Sequence, residues 1–327
     1  MFDEIKLIFD KIFDNTLSDS KIKDYLIKLY EEGETPEQIA AAVLSMREHL
    51  ISLDITQDLQ NMIIDNCGTG GDKSNSFNIS TTVSLLLSAC GCKVAKHGNR
   101  SVTSKSGSAD MLEALGINLD ISLEKQTRML NTTGFTFMFA QKHHPCMKHI
   151  MPIRKSISHR TIFNILGPLT NPAGATKQLI GVFSKKYVNS IAIALTLLGN
   201  KKAIVVSSAD GMDEISISDI TYATLVENNR TKDFIIDPRE YGFKLYDKKD
   251  IIGGDAIKNA TITKAILDGS TNGAKRDIVL LNTAVALMID NKVDCIEDGI
   301  KIAQNAINNK DAINKLNDII KFSNNLI

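Results

Sequence analysis

The sequence predicts an α/β protein with an all-helical N-terminal stretch and a larger region of strands and helices built on a central, largely parallel sheet. Two observations predict it. Up to residue 62 apolar side chains recur at helical spacing with no strand signal, and beyond it short apolar runs alternate with helical stretches. Alternation of that kind places helices against the faces of one sheet.

Each element has its own signal. Ile5, Ile8, Phe9, Ile12 and Phe13 share a helical face, and Ile22, Leu26, Leu29 and Tyr30 share another that stops at Gly33. Thr35-Pro36-Glu37-Gln38 supplies an N-cap, a proline at the first helical position and a capping-box glutamine. Ile39, Val43, Leu44 and Met46 continue that helix. Candidate strands follow at 62–66, 93–96, 135–140, 178–183, 203–208, 222–227 and 233–236, with helices at 81–90, 108–116, 122–133 and 187–199. The last strand pair, joined by Glu227-Asn228-Asn229-Arg230, reads as a hairpin adding an antiparallel edge. From 254 onward the pattern is helical again, with caps near Gly269 and Gly273. Ile313, Leu316, Ile319 and Ile320 place a final helix in the Asn- and Lys-rich tail.

Bulk properties narrow the function. A length of 327 residues allows one large domain or two smaller ones, and 43% hydrophobic content is ample for a core. Zero net charge supplies no global field to draw in nucleic acid or an anionic membrane. The cysteines at 67, 90, 92, 146 and 295 show no zinc spacing, and their odd number speaks for reduced thiols in the cytoplasm. The acidic, amphipathic start lacks the pattern of a signal peptide, and no apolar run approaches the roughly 20 residues of a membrane span.

The chain is arranged around one run, Asn66-Cys67-Gly68-Thr69-Gly70-Gly71-Asp72-Lys73-Ser74-Asn75-Ser76-Phe77-Asn78-Ile79-Ser80-Thr81. Its glycines let the backbone turn tightly and approach a ligand, and Asn78, Ser80 and Thr81 suit the start of the helix that follows. A glycine loop opening onto a helix N-terminus offers free N–H donors to a phosphate. The dinucleotide fingerprint fails for want of its last glycine, and the P-loop fails because Asp72 precedes Lys73-Ser74. Alone, the loop is equally a glycine-rich turn without a ligand. A second run, Lys96-His97-Gly98-Asn99-Arg100-Ser101-Val102-Thr103-Ser104-Lys105-Ser106-Gly107-Ser108-Ala109-Asp110, also lies between an apparent strand and an apparent helix. It concentrates the cations, amides and hydroxyls that bind phosphate.

Together these two runs closely resemble the anthranilate phosphoribosyltransferase family of tryptophan biosynthesis. The resemblance continues through His144-Pro145, Pro152-Ile153-Arg154, the stretch from Arg160 to Pro172, and Asp210-Gly211-Met212-Asp213-Glu214, so it covers most of the chain. It implies a small helical domain, residues 1–62 with a returning segment near 160–180. It implies a larger α/β domain, residues 63–159 and 181–327, with the active site in the cleft between the two. It also implies a homodimer formed through the helical domains, and admits an anthranilate synthase subunit as partner.

The resemblance implies phosphoribosyl diphosphate contacts from Gly68, Gly71, Asp72, Ser76, Asn78, Ile79, Ser80 and Thr81, from every residue of the run Lys96 to Ser104, and from Ser108. Ser76 departs from the family's more usual threonine but keeps the hydroxyl. Anthranilate contacts fall to Gly68, Asn99 and Arg154, whose planar fork suits a carboxylate. Arg160, nearby, reads as structural. Asp213 and Glu214 become Mg²⁺ ligands, with Ser80 touching a second Mg²⁺; an Asp-Glu pair by itself is more often an ordinary acidic turn. His97 and His144 are expected to line the site rather than act as bases, because an aromatic amine is already neutral at pH 7. A pyrimidine nucleoside phosphorylase and a non-catalytic nucleic-acid-binding relative are the alternatives. The first needs no acidic metal pair, and the second predicts a basic surface.

Overall fold

A computed structural model describes residues 2–101 and 105–326. Helices α1 (Phe2–Phe13), α2 (Asp19–Glu32), α3 (Pro36–Glu48) and α4 (Gln57–Met62) precede the first strand. The Thr35 capping box forms as the sequence predicts, with Gln38 N–H donating to Thr35 Oγ1 at 3.3 Å and Thr35 N–H to Gln38 Oε1 at 2.8 Å.

Among the described residues seven strands form one sheet: β1 (Ile63–Gly68), β2 (Lys93–Gly98), β3 (Phe135–Phe139), β4 (Lys177–Gly181), β5 (Lys202–Ser208), β6 (Thr221–Glu227) and β7 (Arg230–Ile236). Their order is β3-β2-β1-β4-β5-β6-β7. The first five run parallel, and β6 and β7 close the edge antiparallel. The hairpin turns on Asn228 and Asn229, both left-handed at φ 52° and 56°, the geometry that a two-residue type I′ turn needs. From β1 the chain passes first to β2 on one side and later to β4 on the other. The switch point therefore lies at the carboxyl ends of β1 and β4, where open α/β sheets place their ligands.

The remaining helices are α5 (Ile79–Ala89), α6 (Ser108–Ala114), α7 (Leu123–Thr133), α8 (Ala140–His143), α9 (Met147–Lys155), α10 (Phe163–Leu166), α11 (Val188–Leu197), α12 (Ala256–Leu267), α13 (Ala274–Ile289), α14 (Ile296–Asn308) and α15 (Asp311–Asn324). Helix α5 starts two residues before the predicted 81, with Asn78 at its N-cap position. The Asn78 side chain makes no capping bond, because it is engaged elsewhere.

Alternate residues of the strands feed cores on opposite faces of the sheet. Ile204 and Val206 pack with Val83, Leu86 and the largely buried α13. Ala203 and Val205 pack with α11 and with Phe9, Ile22, Ile39 and Val43 of the N-terminal helices. Ile150, Ile153, Phe163 and Leu166 join that second core, so α9 and α10 return to the helical layer, while Lys177 already begins β4. All five cysteines are unbonded, and no helix among the described residues is long and apolar enough to cross a membrane.

Candidate active site

Gly68 and Gly181 end the paired strands β1 and β4, and the turn carrying Asp213 and Glu214 rests directly on both. A side chain at Gly68 would overlap Asp213 Oδ2, and one at Gly181 would overlap the Asp213 carbonyl oxygen. Glycine at these strand ends is what lets the acidic turn reach the glycine loop. Gly70 N–H donates to Asp213 Oδ2 at 2.6 Å. Gly181→Ala is expected to destabilise the fold by about 1–3 kcal/mol, because the obstacle is main chain that cannot rotate away. A denaturant melt showing an unchanged midpoint would contradict that packing.

The acidic pair is held by burial and by neighbouring negative charge in an environment that disfavours ionisation. Burial, and then the nearby Asp72 carboxylate, raise the Asp213 carboxyl well above its ordinary range. Burial and Asp213 do the same to Glu214, which a hydrogen bond from the Ser80 main chain and the charge of Lys96 partly offset. Lys96 is 1% exposed; its Nζ donates to the Asn66 carbonyl at 2.7 Å and to Ser80 Oγ at 3.4 Å. Beneath it, buried Asp65 accepts from Asn171 Nδ2 at 2.7 Å and from the His97 N–H at 3.3 Å, so the strand ends are cross-linked by polar contacts.

The start of α5 faces the same place. Ser80 and Thr81 occupy its first turn, and among the described residues the buried Thr81 hydroxyl has no hydrogen-bond partner. Asp72 Oδ1 caps the Ser74 N–H at 3.1 Å, and Ser74 Oγ donates to Ser76 Oγ at 3.1 Å. In the second loop, Asn99 Oδ1 accepts from Arg100 N–H at 2.8 Å, and Ser108 begins α6. The Arg100 guanidinium is held by Glu113, at 2.5 Å, and by Asp110, at 3.0 Å. Val102, Thr103 and Ser104 lie outside the described residues.

Next to these loops opens a cavity of about 800 Å³. Gly68, Asn99 and Arg154, the three residues assigned to anthranilate, all line it, with Met151, Phe163 and Pro168 among its apolar walls. The half-buried Arg154 guanidinium lies 5.6 Å from the Phe163 ring centroid. Its one hydrogen-bond partner among the described residues is Met151 Sδ, at 3.6 Å, a weak acceptor. Burial lowers its pKa, as expected of a cation without an anion. Arg160 instead donates to the Gly71 carbonyl and stacks 3.4 Å from the Phe183 ring centroid, which suits the structural part the sequence suggests.

His97 and His144 also line the cavity, their Nε2 atoms 3.2 Å apart. His97 Nδ1 donates to the Gly167 carbonyl at 3.2 Å, so its Nε2 is left to accept from His144 Nε2–H. Burial, reinforced by neighbouring histidines, lowers both, His144 to about 4, so both rings are neutral at pH 7.

Comparison with known proteins agrees with this layout. Residues 60–313 match the glycosyl transferase family a/b domain, and residues 2–50 match the helical bundle domain of the same family. The anthranilate phosphoribosyltransferase of Methanobrevibacter smithii is 44% identical over 96% of this chain and 92% of its own. The chain belongs to the anthranilate phosphoribosyltransferase family. The Clostridium beijerinckii member is 43% identical over 97% of this chain and 93% of its own. The crystal structure of the Thermus thermophilus family member superposes with a TM-score of 0.93 at 32% identity, covering 99% of this chain and 96% of that one. The Saccharomyces cerevisiae family member, in complex with PRPP and Mg, superposes at 0.85 with 27% identity, over 98% of this chain and 92% of that one.

Mg accompanies PRPP in the Saccharomyces cerevisiae member, and the acidic turn of this chain has donors suited to such an ion. Two adjacent carboxylates whose charge nothing nearby neutralises fully, bonded by the Ser80 main chain at the start of α5, fit a hard divalent cation. Among the described residues no three His, Cys, Asp or Glu side chains form a complete metal cage. Mg²⁺ does not need one, since it keeps waters and phosphate oxygens as ligands. Sequence reading missed Gly181 and the contact of 75–77 with 251–253. A glycine inside the predicted strand 178–183 was the available signal for the first.

Proposed function

We propose that this chain transfers 5-phosphoribose from phosphoribosyl diphosphate to the amine of anthranilate, giving N-(5-phosphoribosyl)anthranilate and diphosphate in tryptophan biosynthesis. The observation that carries this reading is the adjacency of two polar strand-end loops and an acidic pair to a cavity holding the unpaired Arg154. The fold shared with the yeast complex supports the donor assignment.

In this reading the diphosphate sugar lies against Gly68, Gly71, Asp72, Ser76 and the Asn78–Thr81 helix start, with further contacts assigned to Lys96 to Ser104 and to Ser108. Asp213, Glu214 and Ser80 would hold Mg²⁺, two ions per chain, which would supply positive charge for the leaving diphosphate. Arg154 binds the anthranilate carboxylate through its fork, and Gly68 and Asn99 complete the pocket. The neutral amine then points at the anomeric carbon, which becomes oxocarbenium-like as the C–O bond breaks. Catalysis is positioning and electrostatics, with no side chain required as nucleophile. The His97–His144 pair shapes the cavity wall and holds no charge to compete with Arg154 for the carboxylate.

The division into a helical part (1–62 with the returning segment) and an α/β part belongs to the same proposal, with the second boundary before Lys177. So do a homodimer through the helical layer, an optional synthase subunit and a cytoplasmic location. Loss of anthranilate fluorescence on adding phosphoribosyl diphosphate and Mg²⁺ to the purified chain is the expected result. Persistent fluorescence with folded protein would overturn the reading, and nucleoside-dependent phosphate consumption would replace it with phosphorolysis.

A further inference from the structure

Helix α12 takes no part in the site as proposed, yet it is bonded to it. Asn259, 2% exposed, accepts the Gly254 N–H at Oδ1 and donates from Nδ2 to Asn78 Oδ1, each at 2.8 Å. Asn78 stands between the glycine loop and α5. Its Nδ2 donates to the Ser106 carbonyl at 3.2 Å, and its Oδ1 also accepts the Ser106 hydroxyl at 3.2 Å. One amide thus joins the glycine loop, the second polar loop and α12.

The main chain repeats the tie. Phe77 N–H donates to the Ile251 carbonyl at 3.2 Å, and Gly253 N–H to the Asn75 carbonyl at 2.9 Å, across an antiparallel bridge between Ser76 and Ile252. A Cβ at Gly253 would come within 2.6 Å of Phe77 Cα, so glycine is required for this approach. The amide orientations are also fixed in series. The Gly254 N–H sets which end of Asn259 faces inward, and the Nδ2 so presented sets Asn78 with its oxygen toward α12. A flipped Asn78 would put N–H against N–H and carbonyl against carbonyl.

We propose that Asn259 is a positioning residue for the sugar-diphosphate donor: it orients Asn78 and so sets the spacing of the two donor-binding loops. The inference rests on the function proposed above. Helix α12 has anchors of its own, the Thr263–Thr82 hydroxyl pair at 2.7 Å and the buried Ala260, Ile266 and Leu267, so a change at 259 does not release it.

The test uses the full chain with Asn259→Ala and Asn259→Asp, the second keeping the acceptor for Gly254 while removing the donor to Asn78. For both, the KM of phosphoribosyl diphosphate, and its calorimetric Kd with Mg²⁺ and no anthranilate, should rise roughly 5–30-fold. The KM of anthranilate should stay within about twofold in both variants. In an Asn78→Ala background Asn259→Ala should add less than about twofold, since nothing is left to orient. Unchanged donor affinity in both variants would overturn the inference. So would full additivity with Asn78→Ala, or a parallel rise in both KM values with a falling melting temperature. If the wild-type chain binds the donor but leaves anthranilate unconsumed, the proposed reaction falls, while the calorimetric comparison still decides the part played by Asn259.

Discussion

Replacing Asp213 by Asn and Glu214 by Gln together is expected to cut Mg²⁺-dependent turnover by at least roughly 10²–10³-fold, the range seen when one preorganised electrostatic contact to a transition state is removed. The protein itself should be no less stable. Both carboxyls have raised pKa values, chiefly through burial and through charge repulsion from Asp72 and from Asp213 respectively. A group whose folded pKa is raised contributes stability that is present below its unfolded pKa and lost as pH rises through the folded one. Near neutral pH the ionised pair is therefore a burden on the metal-free fold, and uncharged amides relieve it. The Gly70 N–H keeps a partner, because an asparagine oxygen accepts as the carboxylate does. The expected signature is a melting temperature equal to or above wild type, with turnover that magnesium no longer restores. A double variant with a normal magnesium response would remove the pair from the metal site, and one that melts early would make it structural.

Some of this site is legible from sequence because its signals are local. Strands such as Ala203–Ser208 announce themselves by apolar, β-branched runs, and the Asn228-Asn229 pair announces its turn because few other residues accept φ > 0. The two polar loops stand out by composition, and their described residues follow the carboxyl ends of β1 and β2. What sequence reading could not supply is what depends on distant main chain. Nothing in Gly181 says that residue 213 will lie on it, and nothing in 75–77 says that 251–253 will pair with it. Arg100 shows the opposite problem. Its neighbourhood reads as a phosphate site, but Asp110 and Glu113, on the next helix, hold its guanidinium. Only folding brings those carboxylates to it, so the residue type identifies a cation without identifying its anion. The same holds at Asn78, which reads as a helix cap and is instead a junction between loops.

Arg154→Ala should lower kcat/KM for anthranilate by on the order of 10–150-fold, with the donor KM little changed. Hydrogen bonds to a charged group are worth about 1.5–3 kcal/mol, which converts to that range. The structure gives a reason to expect the effect to fall on one substrate. Arg154 lies on α9 rather than on either polar loop, and its guanidinium is met by a thioether and the Phe163 ring rather than by a carboxylate. A half-buried cation held that way gains little for the fold, so its removal should leave the melting temperature nearly unchanged. Arg154→Lys separates charge from geometry: a point charge keeps the attraction but loses the planar two-point grip, so it should recover only part of the loss. Arg160→Ala serves as the contrast, because that guanidinium bonds the Gly71 carbonyl and lies on Phe183. Its loss loosens the glycine loop and should appear in the donor KM instead. Steady-state kinetics showing an unchanged anthranilate kcat/KM for Arg154→Ala would move the carboxylate contact to another wall of the cavity. A loss shared equally between the two substrates would make Arg154 part of the scaffold.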